Sequence, residues 1–302
     1  MANRAAVARP VLLHILGLRG VGIAELARRV WAEINDTDVF GLAAQLAFYF
    51  LFALFPLFIF IASLVAYLPI QDLIPRVIEI AEPVLPNQGA LDLVRGTVDE
   101  IVKKSSGGLL SFGLLASLWA SSAGIAAIAG ALNCAYEVGE SRPYWKVRLM
   151  AILLTIGLSL LIIVAMALLM FGDHIGAWIA ARAGLGVVFS ILWTIGRWAV
   201  ILLFLLLAIG LVYYFAPDVE QDWRWITPGS VFAVAVWIIA SIAFRIYIAN
   251  FADYSATYGS LGAMIVLMLW FYITGFVIIV GGEINAEIER ASRMGKNIMG
   301  NA

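Results

Sequence analysis

YGSLGAMIVLMLWFYITGFVIIVGGEIN, Tyr258–Asn285, is the stretch whose reading decides the fold. From Leu261 to Val280 it holds no charged residue. A run of about 20 residues, rising ~1.5 Å each as an α-helix, matches a hydrocarbon core ~30 Å thick. Glu283, Glu287, Glu289, Arg290, Arg293 and Lys296 then end the apolar run. The stretch reads as the last membrane-spanning helix, with a polar tail in water beyond it.

Working outward, the rest of the chain repeats this pattern. Of its 302 residues, 63% are hydrophobic and 13% charged. A soluble domain carries roughly 45–50% apolar and about 25% charged residues, so the composition points to an integral membrane protein. The fold class it predicts is all-α: a polytopic bundle of six transmembrane helices with an amphipathic N-terminal helix and a short helical cap. The spans fall at about 41–68, 109–133, 147–171, 187–215, 229–251 and 258–283. Residues 1–40 precede the membrane domain of 41–283, and 284–302 form the tail.

The fifth and fourth spans each contain an arginine, Arg245 and Arg197, inside a hydrophobic run. The third is a plain apolar run. The second carries Gly113, Ser117, Ser121, Gly124, Ala127 and Ala131 at helical steps, a small-residue stripe that lets another helix approach closely. The first contains Pro56, expected to kink it by removing a backbone donor. In the same span Gln45 and Tyr49 lie one turn apart on one face, suited to an interhelical hydrogen bond or to a ligand contact.

The connection 69–108 is polar and broken by Pro69, Pro75, Pro83 and Pro86. Leu91, Val94, Val98, Ile101 and Val102 keep helical spacing, so it reads as an amphipathic cap, a lid or a surface for an envelope protein partner. Before the first span, Leu26, Val30, Trp31 and Ile34 alternate with Arg28 and Arg29. That pattern predicts a helix lying on the membrane surface with its arginines toward headgroups. Asn35–Asp38 offers cap chemistry for the next helix. Lysine and arginine concentrate at the N-terminus, around Arg142, Lys146, Arg148 and Arg224, and in the tail. The positive-inside rule then places both termini in the cytoplasm.

Chemistry is sparse. Cys134 is the single cysteine, and His14 and His174 have no partner at metal-ligand spacing, so no metal and no cofactor are expected. A net charge of −1 argues against a nucleic-acid partner. No catalytic triad, P-loop or intramembrane carboxylate pair is visible, so no catalytic residue is assigned. The imbalance that stands out is Arg197 and Arg245 without an Asp or Glu inside the apolar runs. A charge there costs ~2.5–3.5 kcal/mol on insertion scales and normally has a partner or a function. The functional reading is a shared basic pocket for an anionic lipid group, with Gln45 and Tyr49 as further contacts. The plainer reading is that each arginine snorkels or pairs with Asp173 or Asp253. Glu283, after Gly281–Gly282, is placed to pair with Arg142 or Arg224 and close the inner side, or simply to be solvated.

Four stretches carry a resemblance: AAQLAFYFLFALFPLFIF (Ala43–Phe60), ALNCAYEVGESRPYWKVR (Ala131–Arg148), YYFAPDVEQDWRWITPGSVFAVAVW (Tyr213–Trp237) and YSATYGSLGAMIVLMLWFYITGFVIIVGGEINAEI (Tyr254–Ile288). In order and over nearly the whole chain, they resemble the YihY/BrkB family of bacterial inner-membrane proteins. The resemblance implies six spans with cytoplasmic termini. It also implies structural or gating roles at Pro56, Asn133, Arg142, Pro217, Tyr258, Gly259, Gly282 and Glu283. A serine commonly precedes the Phe-Pro of the first span; here the chain reads Phe52-Ala53-Leu54-Phe55-Pro56. The family carries labels of virulence and envelope integrity and an older ribonuclease BN label, which this sequence does not support. The resulting expectation is an inner-membrane protein that transports or holds an anionic amphiphile. The alternative is a non-transporting anchor of an envelope complex, partnered through residues 69–108.

Overall fold

The computed structural model describes residues 22–67, 107–184, 186–221, 226–250 and 260–300. Seven helices and no strand occur among them: α1 (Ile23–Asp36), α2 (Val39–Tyr67), α3 (Gly107–Ala135), α4 (Tyr144–Ala183), α5 (Val187–Phe215), α6 (Pro228–Asn250) and α7 (Ser260–Gly300). Helices α2 to α7 are long and apolar enough to cross a membrane, and the chain is a polytopic all-α membrane protein. The expected cap at 69–108 lies outside the described residues except for its last two, which begin α3.

Local chemistry explains the helix ends. Asp38 adopts φ 49° and its Oδ1 accepts from the Gly41 N–H, turning α1 into α2. Pro56 sits inside α2, and the helix runs through it. Gly184 ends α4 at φ 63°, a left-handed conformation that glycine adopts without steric cost. Pro228 opens α6 at a position where its missing N–H costs nothing. There the Thr227 hydroxyl accepts from the Ser230 N–H, while the Ser230 hydroxyl accepts from the Thr227 N–H, a reciprocal cap.

Helix α4 is 40 residues long and α7 is 41. At ~1.5 Å per residue each runs about 60 Å, twice a hydrocarbon core. The sequence places the end of the third span near Phe171, yet α4 continues through Asp173 and His174 to Ala183. Polar residues do not stop a helix where their side chains reach a neighbour, and Asp173 reaches Arg197 on α5.

Neighbouring helices run antiparallel. Gly172 and Gly176 of α4 face Arg197 and Trp193 of α5, and Trp237 and Phe244 of α6 face Thr274 and Trp270 of α7. Phe40 and Phe50 of α2 meet Phe276 and Phe271 of α7. One end of the bundle therefore gathers α1, the α3–α4 and α5–α6 connections and the later half of α7. We call it the α1 end. Most of the buried core lies there, including Val30, Ile34, Leu46, Leu132, Tyr213 and Ile279.

Helix α1 packs part of its apolar face against the bundle, while Trp31 stays 68% exposed. The packed part, with Val30 and Ile34 buried and Leu26 beside them, joins the protein core. Its polar face pairs Glu25 with Arg28 and Arg29. The amphipathic pattern is as the sequence gives it, but the surface it covers is α7.

Candidate functional site

Two arrangements of polar side chains stand out: a knot that ties the α1 end together, and a groove beside it.

The knot has three strands. In the first, Asn133, near the end of α3, donates from Nδ2 to Glu140 Oε2 at 3.0 Å, and its Oδ1 accepts from the Asp218 N–H at 2.7 Å. Arg142 grips Glu140 with two nitrogens, at 2.7 and 2.8 Å, and donates to the Ala216 carbonyl at 2.8 Å. Ser141 donates its N–H and its hydroxyl to Asp218. The α3–α4 loop is thereby bonded to the end of α5, where Pro217 is buried. The hydrogen bonds from Arg142 hold the Glu140 carboxyl below the usual carboxylate range, and those from Ser141 do the same for Asp218.

In the second strand, backbones touch. A Cβ at Gly229 would run into the Gly281 carbonyl oxygen, and one at Gly281 would run into the Tyr213 hydroxyl. A Cβ at Gly282 would strike the Leu132 side chain. These three glycines set the spacing of α3, α5, α6 and α7. The Tyr213 hydroxyl, buried in the middle, donates to the Ile278 carbonyl at 2.7 Å. Asn285 accepts from the Gly229 N–H at 2.8 Å and donates to the Thr227 hydroxyl oxygen at 3.0 Å.

The third strand fastens α1. Arg290 Nη1 lies 2.9 Å from Glu33, 2.7 Å from Glu137 and 3.0 Å from Glu287, and Nη2 donates to the Ala135 carbonyl. Glu283, with no exposed surface, does not meet Arg142. Its Oε1 lies 2.9 Å from the Thr37 hydroxyl, which also bonds the Glu33 carbonyl at 2.7 Å. Arg142 is taken by Glu140 instead, on the α3–α5 side of the bundle. Arg224, Tyr258 and Gly259 lie outside the described residues.

The groove lies between α2, α3 and the start of α4. It is open to the outside, with a volume of about 550 Å³, and Gln45, Tyr49, Tyr144 and Arg148 line it together with Ala123, Ala126 and Gly130. Two residues singled out in the sequence, Gln45 and Tyr49, thus share one cavity wall. Arg148 is 9% exposed. Its Nη2 donates to the Trp119 carbonyl at 2.7 Å, and its guanidinium carbon sits 3.8 Å from the centroid of the Trp119 ring. Its Nε has no hydrogen-bond partner among the described residues.

The sequence reading missed Arg148, grouping it with the charged loop after α3. The available signal was its place one turn inside the helix that begins at Tyr144, facing a helix whose small-residue stripe leaves room. That stripe behaves as expected elsewhere: Gly124 receives the Phe50 ring and Ala131 is buried.

Arg197 and Arg245 are placed apart from the groove. Arg197 has a side chain 8% exposed, with Nη1 2.7 Å from Asp173 Oδ1. That nitrogen meets the carboxylate at ion-pair distance without the alignment of a hydrogen bond, so the contact is charge on charge. Arg245 is exposed on α6 and shares no described contact with Arg197. Among the described residues no group of His, Cys, Asp and Glu could hold a metal.

Comparison with known proteins places this architecture. The Virulence factor BrkB family matches residues 30–300. The ribonuclease-like protein YfkH of Bacillus subtilis is 43% identical over 253 residues, covering 83% of this chain and 90% of that protein. A UPF0761 membrane protein of Xanthomonas campestris is 25% identical over 285 residues, 88% of this chain, and one of Stenotrophomonas maltophilia is 23% identical over 270 residues, 86% of this chain. The chain spans 61% and 60% of the length of those two relatives. No solved structure matches. With nearly its full length matched and six membrane-crossing helices in place, the chain belongs to the Virulence factor BrkB family.

Proposed function

We propose that this chain is an inner-membrane protein, both termini in the cytoplasm, that holds or moves an anionic amphiphile such as a lipid or lipid precursor. The observation that carries the reading is the groove. It has a volume of about 550 Å³ and sets Gln45, Tyr49 and a buried arginine along one open trough, the chemistry a charged head with an apolar chain would need. In an antiparallel bundle with the α1 end inside, that cavity belongs to the cytoplasmic leaflet. Arg197 and Arg245 lie toward the opposite face: Arg197 stands eighteen residues before the end of α5, roughly 27 Å along the helix. There they serve as a second contact for the same charged group as it crosses. We give the chain no catalytic role. Among the described residues, no group of His, Cys, Asp and Glu that could hold a metal answers the ribonuclease-like name of its Bacillus relative.

Native mass spectrometry on the full chain purified with its own membrane lipids tests the reading. Enrichment of one anionic lipid class over its share of the membrane is the expected result, reduced in Arg197→Ala or Arg245→Ala if those residues take part. Vesicle assays with that lipid then separate holding from moving. Retained lipid that mirrors the bulk composition would reject the reading. A co-purifying envelope protein in its place would favour the anchor.

A further inference from the structure

We propose that Arg148 is the headgroup-binding residue of the groove, and that the occupant is an anionic phospholipid whose phosphate meets the guanidinium while a chain lies on the small-residue floor of α3. The inference rests on the amphiphile-holding reading above and names the atoms that would do the holding.

Charge accounting singles out Arg148. Every other buried or half-buried arginine described has a carboxylate: Arg29 has Glu25, Arg142 has Glu140 and Asp218, Arg197 has Asp173, and Arg290 has Glu33, Glu137 and Glu287. Arg148 is about as buried as any of them, yet its described partners are one carbonyl oxygen and one indole face. Both are acceptors of the weak, neutral kind. They orient the guanidinium without neutralising it. A cation held out of water without a counter-ion is costly unless an anion arrives to complete it. Planar guanidinium suits phosphate, which takes two parallel N–H donors.

The surroundings indicate the form of that anion. Gln45 and Tyr49 add hydrogen-bonding groups on the facing wall, and Tyr144 adds a hydroxyl at the start of α4. Gln45, Gly130, Cys134 and Tyr144 are exposed along the groove, although α2 and α3 are spanning helices. A groove on the flank of spanning helices is reached from the bilayer. Alanine and glycine on its floor leave a trough with no polar atoms beyond the backbone, as an acyl chain requires. A charged head at one end and an apolar trough beside it describe a lipid better than a free anion.

The test uses the full chain in detergent with phosphatidylglycerol and phosphatidylcholine of identical chains, read by native mass spectrometry. Wild type should retain phosphatidylglycerol with about a tenfold preference, and Arg148→Gln should bring that to about twofold or less. Ala126→Leu fills the floor and leaves the charge in place, and it should lower retention as well. Excess inorganic phosphate should displace nothing. If Arg148→Gln does not fold, Arg148→Lys and Ala126→Leu decide the matter, because unchanged retention in both overturns the site. Displacement by inorganic phosphate also overturns it, by showing a site for a free anion. A wild-type preference that survives in a folded Arg148→Gln overturns the site and leaves the amphiphile reading standing. A wild type that retains no lipid above its bulk share removes both.

Discussion

The two ends of this bundle are built on different principles. At the α1 end, four spanning helices and α1 are tied by glycine-to-backbone contacts, a buried tyrosine and hydrogen bonds between residues far apart in sequence. Toward the other end, α4, α5 and α6 present Leu160, Ile163, Met170, Ile191, Ile195, Ile239 and Ile242 outward, all exposed. The one described ion pair there joins a buried arginine to Asp173, whose side chain is 71% exposed. Lipid tails are as apolar as leucine, so greasy surface gives no reason for helices to associate within a membrane. Close contact needs small residues and polar bonds instead. The α1 end has many of both; toward the other end they are fewer, with Gly172 and Gly176 admitting Arg197 and Trp193 and the Trp193 Nε1 donating to the Gly172 carbonyl at 2.7 Å. Along the outward-facing parts of α4, α5 and α6, apolar surface is left to meet lipid.

Three substitutions would break or sharpen that contrast. The largest effect is expected from Gly281→Val, because its side chain must displace the Tyr213 hydroxyl and the Gly229 carbonyl, neither of which can yield without moving a helix. We expect a loss of about 3 kcal/mol, read as a shift in the denaturant midpoint in detergent. A loss under about 1 kcal/mol would show that the helices can part there at little cost. Arg290→Met comes next. It leaves Glu33, Glu137 and Glu287 facing one another without their shared cation. Partial exposure of Arg290 discounts the fully buried figure to about 2 kcal/mol. Faster protease cleavage between α1 and α2 is the accompanying sign, since α1 loses its fastening. The smallest effect is expected from Asp173→Asn at the far end, about 1 kcal/mol or less, because that carboxylate is already mostly in solvent. If it proves as costly as Arg290→Met, the two ends are not differently built.

The sequence shows spans well and meetings poorly. A hydrocarbon core imposes a length, and each of the six apolar runs can be measured against it without knowing its neighbours. The stripe on α3 was legible for the same reason: small residues at helical steps announce a close approach whoever approaches. What could not be read was identity across distance. Asn285 meets Gly229 from 56 residues away, and Glu33 meets Arg290 from 257. Nothing local marks either pair. Arg197 illustrates the middle case, since Asp173 was among its candidate partners but so was a shared pocket with Arg245. Arg148 was hidden by its position, because a basic residue one turn into a spanning helix has the appearance of an ordinary interface charge. Its burial depends on Trp119, 29 residues upstream.

Arg290 also sets an order of events. A ribosome adds roughly 5–20 residues per second, so Glu33 precedes Arg290 by about 13–50 s, given the 257 residues between them. Throughout that interval α1 exists and its covering helix does not. Until then its apolar face lacks the α7 surface it covers in the finished bundle, and the headgroup layer is a surface that can hold an amphipathic helix. Closure of the bundle waits for the last helix to be synthesised, and a nascent chain stalled before Arg290 would carry its first helix unfastened.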